Sequence, residues 1–499
     1  MTSQDVRAPD VLLSLRPGAR LVVDADLTAH VAIGSAVLGL GTLGAAIAQA
    51  LGRLVWPGVT EDSLADFVAE QDGAAAMLPC LLLLRRLDGA GLLARTVSVH
   101  SRAGQPGRVL ATLEPCGLHP TPPGRVPRSS DCVGLSRFAL LRRDGGRLVV
   151  ESARSTFRVA LHDARLAGLA ALLTEPTALT DAAAAAGGLG LTAGEVKAIL
   201  DLWGKAGLLT FPDAGTGPDE DKEQRLAQWH PVDLLFHQRS RLGGRALPYG
   251  GTYPLAASFD PLPAERPRST LDVVFRPVDL ARIAGRDPGL SEVIEARRSV
   301  RQHDDAHPIT ADQVGELLYR TVRIRRRFDD GQQEVLDRPV PSGGSVHPLD
   351  LYAAVRHCGG VPAGLYRYQP DGHGLVLVSD DVRGVRRLLA AVPLAPDGAA
   401  LPQVLLVASA RFGRVMWKYE SMAYALLLKD LGVLYQSLYL IATAMGLAPC
   451  ALGGGDSAMF ARLAGLDPYE EGSVGEFAVG SMPTAPASVA QTPGNGRGK

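Results

Sequence analysis

Between Trp417 and Met445 the sequence reads as one long helix that is apolar nearly all round, with Tyr424, Leu427, Leu428, Leu431, Leu434, Tyr435, Leu438 and Tyr439 spread over its sides. Such a helix has no solvated face, so a domain must be built around it. Residues from about 275 to 484 provide that surround. Strand-like runs at Leu349–Val355 and Glu476–Gly480 alternate with helical stretches, an α+β pattern. Lys418 falls at the expected start of the helix, where a cation opposes the helix dipole. Its pKa is therefore expected to be lowered, which suits a base, and Tyr419 adds a second proton-transfer group.

The chain has 499 residues, enough for about three domains. Lys+Arg is 51 and Asp+Glu is 52, so no chain-wide excess of positive charge points to a nucleic-acid partner. Only six of the 51 basic residues are Lys, which makes the retained Lys418 informative: a surface cation is normally written as Arg here. The five cysteines (80, 116, 132, 358 and 450) form no CxxC, so a reducing cytoplasm without a disulfide framework is expected. Cys116, His119 and Cys132 match no common zinc spacing, and no metal is expected. No signal peptide is read at the N-terminus, and the uncharged stretch 31–48, with four Gly, Ser35 and Thr42, is read as a buried strand and helix, not a membrane span.

Two N-terminal segments look like copies of one another. One runs from a β-like Arg20–Asp24 through a helix start at Thr60 to a helix Met77–Leu87 and Gly91-Leu92-Leu93. The other runs from strands near 136–142 and 147–151 through Thr192 to a helix Val196–Lys205 and Gly207-Leu208-Leu209. Each resembles a winged-helix module, over 1–115 and 130–212. The last helices carry only Arg85 and Arg86, or Lys197 and Lys205, too few cations for phosphate contacts. Peptide or subunit binding by strand addition is the expected use. Residues 213–274 read as a linker and wrapping helix (the helix around 220–242), and 485–499 as a flexible tail. Gly39-Leu40-Gly41-Thr42-Leu43-Gly44 spells a dinucleotide fingerprint, but no further βα units follow, so helix packing is the preferred reading.

After residue 290 four motifs follow in order. Arg297, Arg298, Ser299 and Arg301 gather guanidiniums and a hydroxyl, donors suited to a phosphate monoester. Pro341-Ser342-Gly343-Gly344-Ser345 lets backbone approach a ligand closely. Lys418-Tyr419 comes third, and Gly453-Gly454-Gly455 offers backbone N–H groups to a flat ligand edge. With Gly364-Leu365-Tyr366-Arg367-Tyr368 between the second and third, this order resembles the nitroreductase-like flavin fold, and most of all the SagB-type azoline dehydrogenases. The resemblance covers 229–483 and includes Trp229–Arg241.

That resemblance implies a homodimeric α+β domain over 275–484 that binds FMN at the subunit interface. Arg297, Arg298, Ser299 and Arg301 would contact phosphate and ribityl. Ser342, Gly343 and Gly344 would form the second cofactor loop, and Gly453 and Gly454 would lie near the isoalloxazine. Lys418 and Tyr419 would be catalytic. The implied substrate is an azoline-containing precursor peptide made by a cyclodehydratase complex, oxidised to an azole with O2 as final acceptor. No nucleic acid or membrane partner is implied. Two alternatives stay open: an NAD(P)H-dependent flavin reductase, and a non-catalytic peptide-binding scaffold. The sequence departs from the family where Ser481-Met482-Pro483 replaces a basic phosphate contact after the last strand, with Arg411 or Arg414 as expected substitutes. The cluster Arg320, Arg323, Arg325, Arg326 and Arg327 is a candidate attractor for an acidic leader peptide.

Overall fold

The computed structural model describes residues 8–34, 36–99, 107–117, 124–213, 218–243, 248–391, 394 and 401–483. His119 and the 485–499 tail lie outside them. The chain forms two compact units, Met1–Leu247 and Pro248–Lys499.

The first unit contains one arrangement twice. Strand β1 (Asp10–Leu15) leads into a meander of β2 (Ala19–Val23), β3 (Thr28–Ile33) and β4 (Ala36–Thr42). Helices α1 (Ala45–Gly52), α2 (Glu61–Asp72) and α3 (Met77–Gly89) follow, then β5 (Leu93–Val99), which returns to pair with β1, and β6 (Arg108–Pro115). The arrangement then repeats with β7 (Cys132–Leu135), the meander β8 (Ala139–Asp144), β9 (Arg147–Ser152) and β10 (Phe157–Leu161), and helix α4 (Arg165–Leu172). The short β11 (Thr177–Ala178), α5 (Leu179–Gly187), α6 (Ala193–Lys205) and β12 (Leu209–Thr210) complete it.

The correspondence extends to single pairs. Leu13 bridges Val59 and Leu15 pairs with Leu93, as Val133 pairs with Thr177 and Leu135 with Leu209. Cys80, Leu83, Leu84 and Leu87 are buried on α3 at the same spacing as Val196, Ile199, Leu200 and Trp203 on α6. Thr60 and Thr192 cap their helices through the hydroxyl, and only Thr192, with Glu195, closes a full capping box. Gly91 and Gly207 take left-handed backbone (φ 68 and 67), which lets each chain turn sharply from helix into strand.

Two expectations need correction here. The helix around 220–242 is broken into α7 (Asp219–Lys222), α8 (Gln224–Ala227) and α9 (Pro231–Arg239). Pro231 forces His230 into extended backbone (ψ 138), so α9 must start afresh. Gly39 and Gly41 of the dinucleotide-like motif lie inside β4, which pairs antiparallel with β3. These glycines therefore serve a strand and not the helix packing expected of them, and a dinucleotide loop, which needs a strand–turn–helix in a parallel βαβ unit, is excluded as well.

The second unit is built on a seven-stranded sheet. Its elements are β13 (Val273–Val274), α10 (Leu280–Ala284), α11 (Leu290–Ala296), α12 (Ala311–Val322) and the hairpin β14 (Arg326–Asp329) with β15 (Glu334–Asp337). Then come β16 (Leu349–Val355), β17 (Gly364–Gln369), β18 (Gly374–Ser379), α13 (Val382–Ala390), β19 (Val404–Arg411) and α14 (Phe412–Lys418). Helix α15 (Ala423–Ala444), β20 (Leu447–Leu452), α16 (Ser457–Ala464) and β21 (Glu471–Ser481) close the chain. The strand order is β13-β18-β17-β16-β19-β21-β20, with every pair antiparallel. Alternate residues build the two faces. Leu351, Ala353, Leu406 and Ala408 join α12 and α15 in one core, while Tyr352, Ala354, Leu405 and Val407 join α13 and α16 in the other.

Helix α15 does not begin at Trp417. Tyr419 (φ −110, ψ 139) ends α14, and the long helix starts at Ala423. It buries one stripe, Leu427, Leu431, Leu434, Leu438 and Ala442, and leaves Tyr424, Leu428 and Val433 exposed. Among the described residues α15 is the one helix long and apolar enough to cross a membrane.

Candidate active site

The arginine motif starts where a helix stops. Arg297 caps α11 with extended backbone (φ −57, ψ 124), so the motif's later residues run outside the helix. The Val300 N–H donates to Pro449 O at 2.8 Å and ties the motif to β20. Ser299 Oγ lies 2.7 Å from Tyr439 Oη, which also accepts the Ala451 N–H at 2.7 Å. The Arg297 guanidinium sits 5.2 Å over the Tyr439 ring. Among the described residues no carboxylate pairs with Arg297, Arg298 or Arg301, although Arg266, Arg320, Arg327, Arg338 and Arg356 of the same unit are all paired.

The Ser342 loop is held against the middle of α15. Ser342 Oγ donates to Asp430 Oδ2 at 2.6 Å, the Gly343 N–H donates to Asp430 Oδ1 at 3.2 Å, and the His347 N–H donates back to Ser342 Oγ at 3.0 Å. Burial pushes the Asp430 carboxyl up, against these two donated bonds. Gly344, Ser345 and His347 all sit at positive φ (60, 56 and 46), a strained turn of the kind that gathers at binding sites. A Cβ on Gly344 would collide with the Tyr419 hydroxyl and lie 3.3 Å from Lys418 Nζ. The fold therefore brings together two motifs that are far apart in sequence.

Lys418 is at the C-terminal end of α14, not the start of α15. The dipole there favours a cation, the reverse of the expectation from sequence. Lys418 Nζ also donates to Asp330 Oδ2 at 2.7 Å, from the turn between β14 and β15. Burial works against the charge, but the bond and charge of Asp330 outweigh it, and the Lys418 pKa is raised. Burial raises Tyr419 as well, although the Lys418 charge opposes that. At neutral pH the pair is a cation beside a neutral phenol. Tyr253 completes the group: its N–H donates to Lys418 O at 3.1 Å, and its ring packs edge-on to Trp417 at 5.5 Å.

Asp330, Asp430 and Tyr253 were not singled out from sequence. The Asp329-Asp330-Gly331 turn was the one local signal for Asp330, and it does not say what the carboxylate meets. Gly453 and Gly454 line a pocket with Tyr435, Ser473 and Glu476. Side chains on these two glycines would meet nothing, so their backbone is open to a ligand, whereas one on Gly455 would collide with the Glu476 carboxyl. Burial keeps that carboxyl above its usual range, against a bond from Ser473.

The donor set fits FMN. Unpaired guanidiniums and a hydroxyl suit its phosphate, and the open Gly453-Gly454 backbone suits a flat ring. Two expected substitutes do not serve. Arg414 is fully buried and donates to Leu262 O, Glu334 O and Val346 O, and Arg411 donates to Ala264 O and Pro263 O. Nor is the arginine cluster a free basic patch. Arg320 pairs with Asp287 and Glu316, Arg325 and Arg326 with Asp337, and Arg327 with Asp371 and Glu334.

Residues 133–246 match the family model for the cyanobactin oxidase ThcOx, and residues 294–481 match the nitroreductase family. "Putative nitroreductase MJ1384" of Methanocaldococcus jannaschii is 30% identical over 166 residues, which are 33% of this chain and 78% of that protein. The trifolitoxin-processing protein TfxB of Rhizobium leguminosarum bv. trifolii is 28% identical over 149 residues, 29% of this chain and 40% of that protein. A chain of the E. coli microcin synthetase McbBCD complex, solved with truncated pro-MccB17 bound, shares 19% identity at a TM-score of 0.33, over 50% of this chain and 86% of that one. The last likeness is too low to support any argument. The nitroreductase model spans the arginine motif, the glycine loops and the Lys418–Tyr419 pair. With 30% identity over 78% of the M. jannaschii protein, the chain belongs to the nitroreductase family of oxidoreductases.

Proposed function

We propose that this chain is an FMN-dependent dehydrogenase of the SagB type, which oxidises thiazolines or oxazolines in a ribosomally made peptide to the aromatic azoles. The observation that carries this reading is the packing of Gly344 against Tyr419 and Lys418, which unites a glycine-rich loop with a proton-transfer pair. Similarity to a cyanobactin oxidase and to a trifolitoxin-processing protein favours a peptide substrate.

Arg297, Arg298, Ser299 and Arg301 hold the phosphate and ribityl, Ser342–Gly344 form the second loop, and Gly453 and Gly454 back the ring. Bound FMN supplies the hydride acceptor, with O2 as final oxidant. Aromatisation removes one proton and one hydride from adjacent ring carbons. Proton loss from Lys418 is opposed by Asp330, whereas proton loss from Tyr419 is helped by the Lys418 charge. Tyr419 carries its proton at neutral pH, so it is the minor phenolate form, favoured by the Lys418 charge, whose Oη takes the substrate proton. The exposed apolar side of α15 forms a homodimer interface, and the repeated halves of the first unit act as winged-helix-like modules for the precursor peptide or a cyclodehydratase partner.

The test begins with the flavin released from the purified protein. FMN near one per chain, followed by loss of two mass units per ring on an azoline peptide, is expected, with both steps separable in Lys418→Ala: flavin kept, oxidation lost. A colourless protein that FMN cannot reconstitute would sink the reading.

A further inference from the structure

Six glutamates are buried among the described residues, and five of them meet an arginine. Glu114 pairs with Arg147 and Arg158, Glu151 with Arg142, Glu195 with Arg108, Glu220 with Arg154 and Glu471 with Arg266. A carboxylate taken out of water needs such a cation or gives up its charge. Glu476 is the sixth. It is 4% exposed, and among the described residues no Lys, Arg or His pairs with it; its partner is the Ser473 hydroxyl.

Glu476 stands opposite Leu452, the last residue of β20, where the chain turns into the glycine loop. Its carboxyl lies against that loop. A Cβ on Gly455 would strike the carboxyl carbon and both oxygens, although the Gly455 backbone is outside the left-handed region and does not itself call for glycine. Glycine at 455 admits the acid, while the backbone at Gly453 and Gly454 stays open to a ligand in the pocket that Glu476 also lines. Tyr424 and Tyr435 face this pocket from α15, and burial raises Tyr435. Asp456, next in the loop, caps α16 through the Met459 N–H. None of these groups offers a cation, so burial raises Glu476 and favours its neutral form. A neutral carboxyl has an O–H to give, and the bond from Ser473 takes up an acceptor, not that donor.

We infer that the Glu476 carboxyl donates a hydrogen bond to the edge of the flavin ring at the Gly453-Gly454 loop and thereby raises the flavin's reduction potential. That edge carries carbonyl and nitrogen acceptors, which gain electron density on reduction, so a fixed donor favours the reduced form over the oxidised one. Ionisation of the carboxyl reverses the effect, because a carboxylate repels the added charge. The substrate proton belongs to Tyr419; Glu476 sets how readily the flavin accepts the hydride. That the ligand is a flavin rests on the proposed function. The buried, uncompensated acid beside an open loop does not.

The test uses the full chain loaded with FMN and reads its two-electron reduction potential against a reference dye from pH 5 upward. Glu476→Gln, a neutral donor at every pH, should match the wild type at pH 5. Glu476→Leu, which has no donor, should lie lower there by about tenfold or more in the reduction equilibrium, about 30 mV for two electrons. As pH rises, the wild type should fall below Glu476→Gln. A wild-type potential equal to that of Glu476→Leu, or already below that of Glu476→Gln at pH 5, would overturn the role. The wild type gives a second readout that needs no variant. Its reduced-minus-oxidised infrared spectrum should contain a protonated-carboxyl band displaced by reduction, and absence of any such band would overturn the role even if neither variant folds. A chain that takes up no FMN would sink the proposed function and this role with it. A chain that binds FMN and oxidises azolines at a potential blind to residue 476 would sink this role alone.

Discussion

Asp330 decides the charge of the Lys418–Tyr419 pair, and it belongs to a turn 88 residues away. Its carboxylate is held below its ordinary range: burial raises it, but the Lys418 bond and two backbone donors prevail. In Asp330→Asn, Lys418 keeps its burial and loses its anion, so its pKa must fall. If the charged ammonium keeps Tyr419 reactive, the alkaline limb of kcat/KM moves to lower pH by about one unit or more, while FMN content stays at the wild-type level. A pH–rate profile for both proteins checks this. Gly344→Ala acts on geometry. The new methyl needs the space of the Tyr419 hydroxyl, at a backbone φ of 60 that alanine resists. Oxidation should drop about a hundredfold, as for any reacting group displaced by roughly an ångström. The same strain should lower the thermal midpoint by a few degrees, and single-turnover kinetics on the folded protein separates the two effects.

At the scale of elements, what the sequence disclosed and what it hid have physical causes. Strand β16 and the last half of β21 are mostly apolar runs with residues buried on both faces, so they are legible, and so are the glycine loops and arginine motif as local patterns. The break between α14 and α15 was not, because Lys418-Tyr419-Glu420-Ser421-Met422 contains neither Gly nor Pro. It is made from outside. Glu420 N–H donates to Gly250 O and Tyr253 N–H donates to Lys418 O, so a distant segment takes the groups that a continuous helix would use. The reading of α15 as apolar all round was correct in composition and wrong about burial within one chain. Leu428 and Val433 remain exposed, an apolar surface that a second subunit would cover. If the proposed homodimer forms through this surface, Leu428→Glu with Val433→Glu should make the chain monomeric by light scattering and leave the fold intact. Leu427→Ala, on the buried stripe of the same helix, should instead cost about 2–5 kcal/mol in denaturant unfolding.

For the molecule as a whole, acid stability should be set by the second unit. His347 is buried there and His303 half-buried, each near an arginine, and both are held neutral. Burial first, then the Arg338 charge, takes His347 down to about 3, and burial, then Arg356, takes His303 down to about 4. An unfolded chain protonates histidine at its ordinary pKa near 6.5, so below that pH the unfolded state binds protons that the folded state refuses. Stability is therefore full above pH 6.5, falls as pH drops from there, and levels only once the folded-state values are passed. Each such histidine shifts the unfolding equilibrium by about tenfold per pH unit in that window. The shared geometry explains why both are kept: His303 Nδ1 accepts the Gln403 N–H at 3.1 Å beside Gly480, where a side chain would strike the imidazole, and His347 ends the Ser342 loop. Histidine is thus used as a neutral acceptor or filler at the two ends of the site-bearing sheet. Denaturant unfolding at pH 7, 6 and 5 should show the slope, and His347→Gln should about halve it, leaving the His303 share and keeping a side chain of similar polarity with no proton to gain. An unfolding midpoint that stays level from pH 7 to 5 would mean that these imidazoles are solvated and that the Ser342 loop opens far more readily than its hydrogen bonds to Asp430 imply.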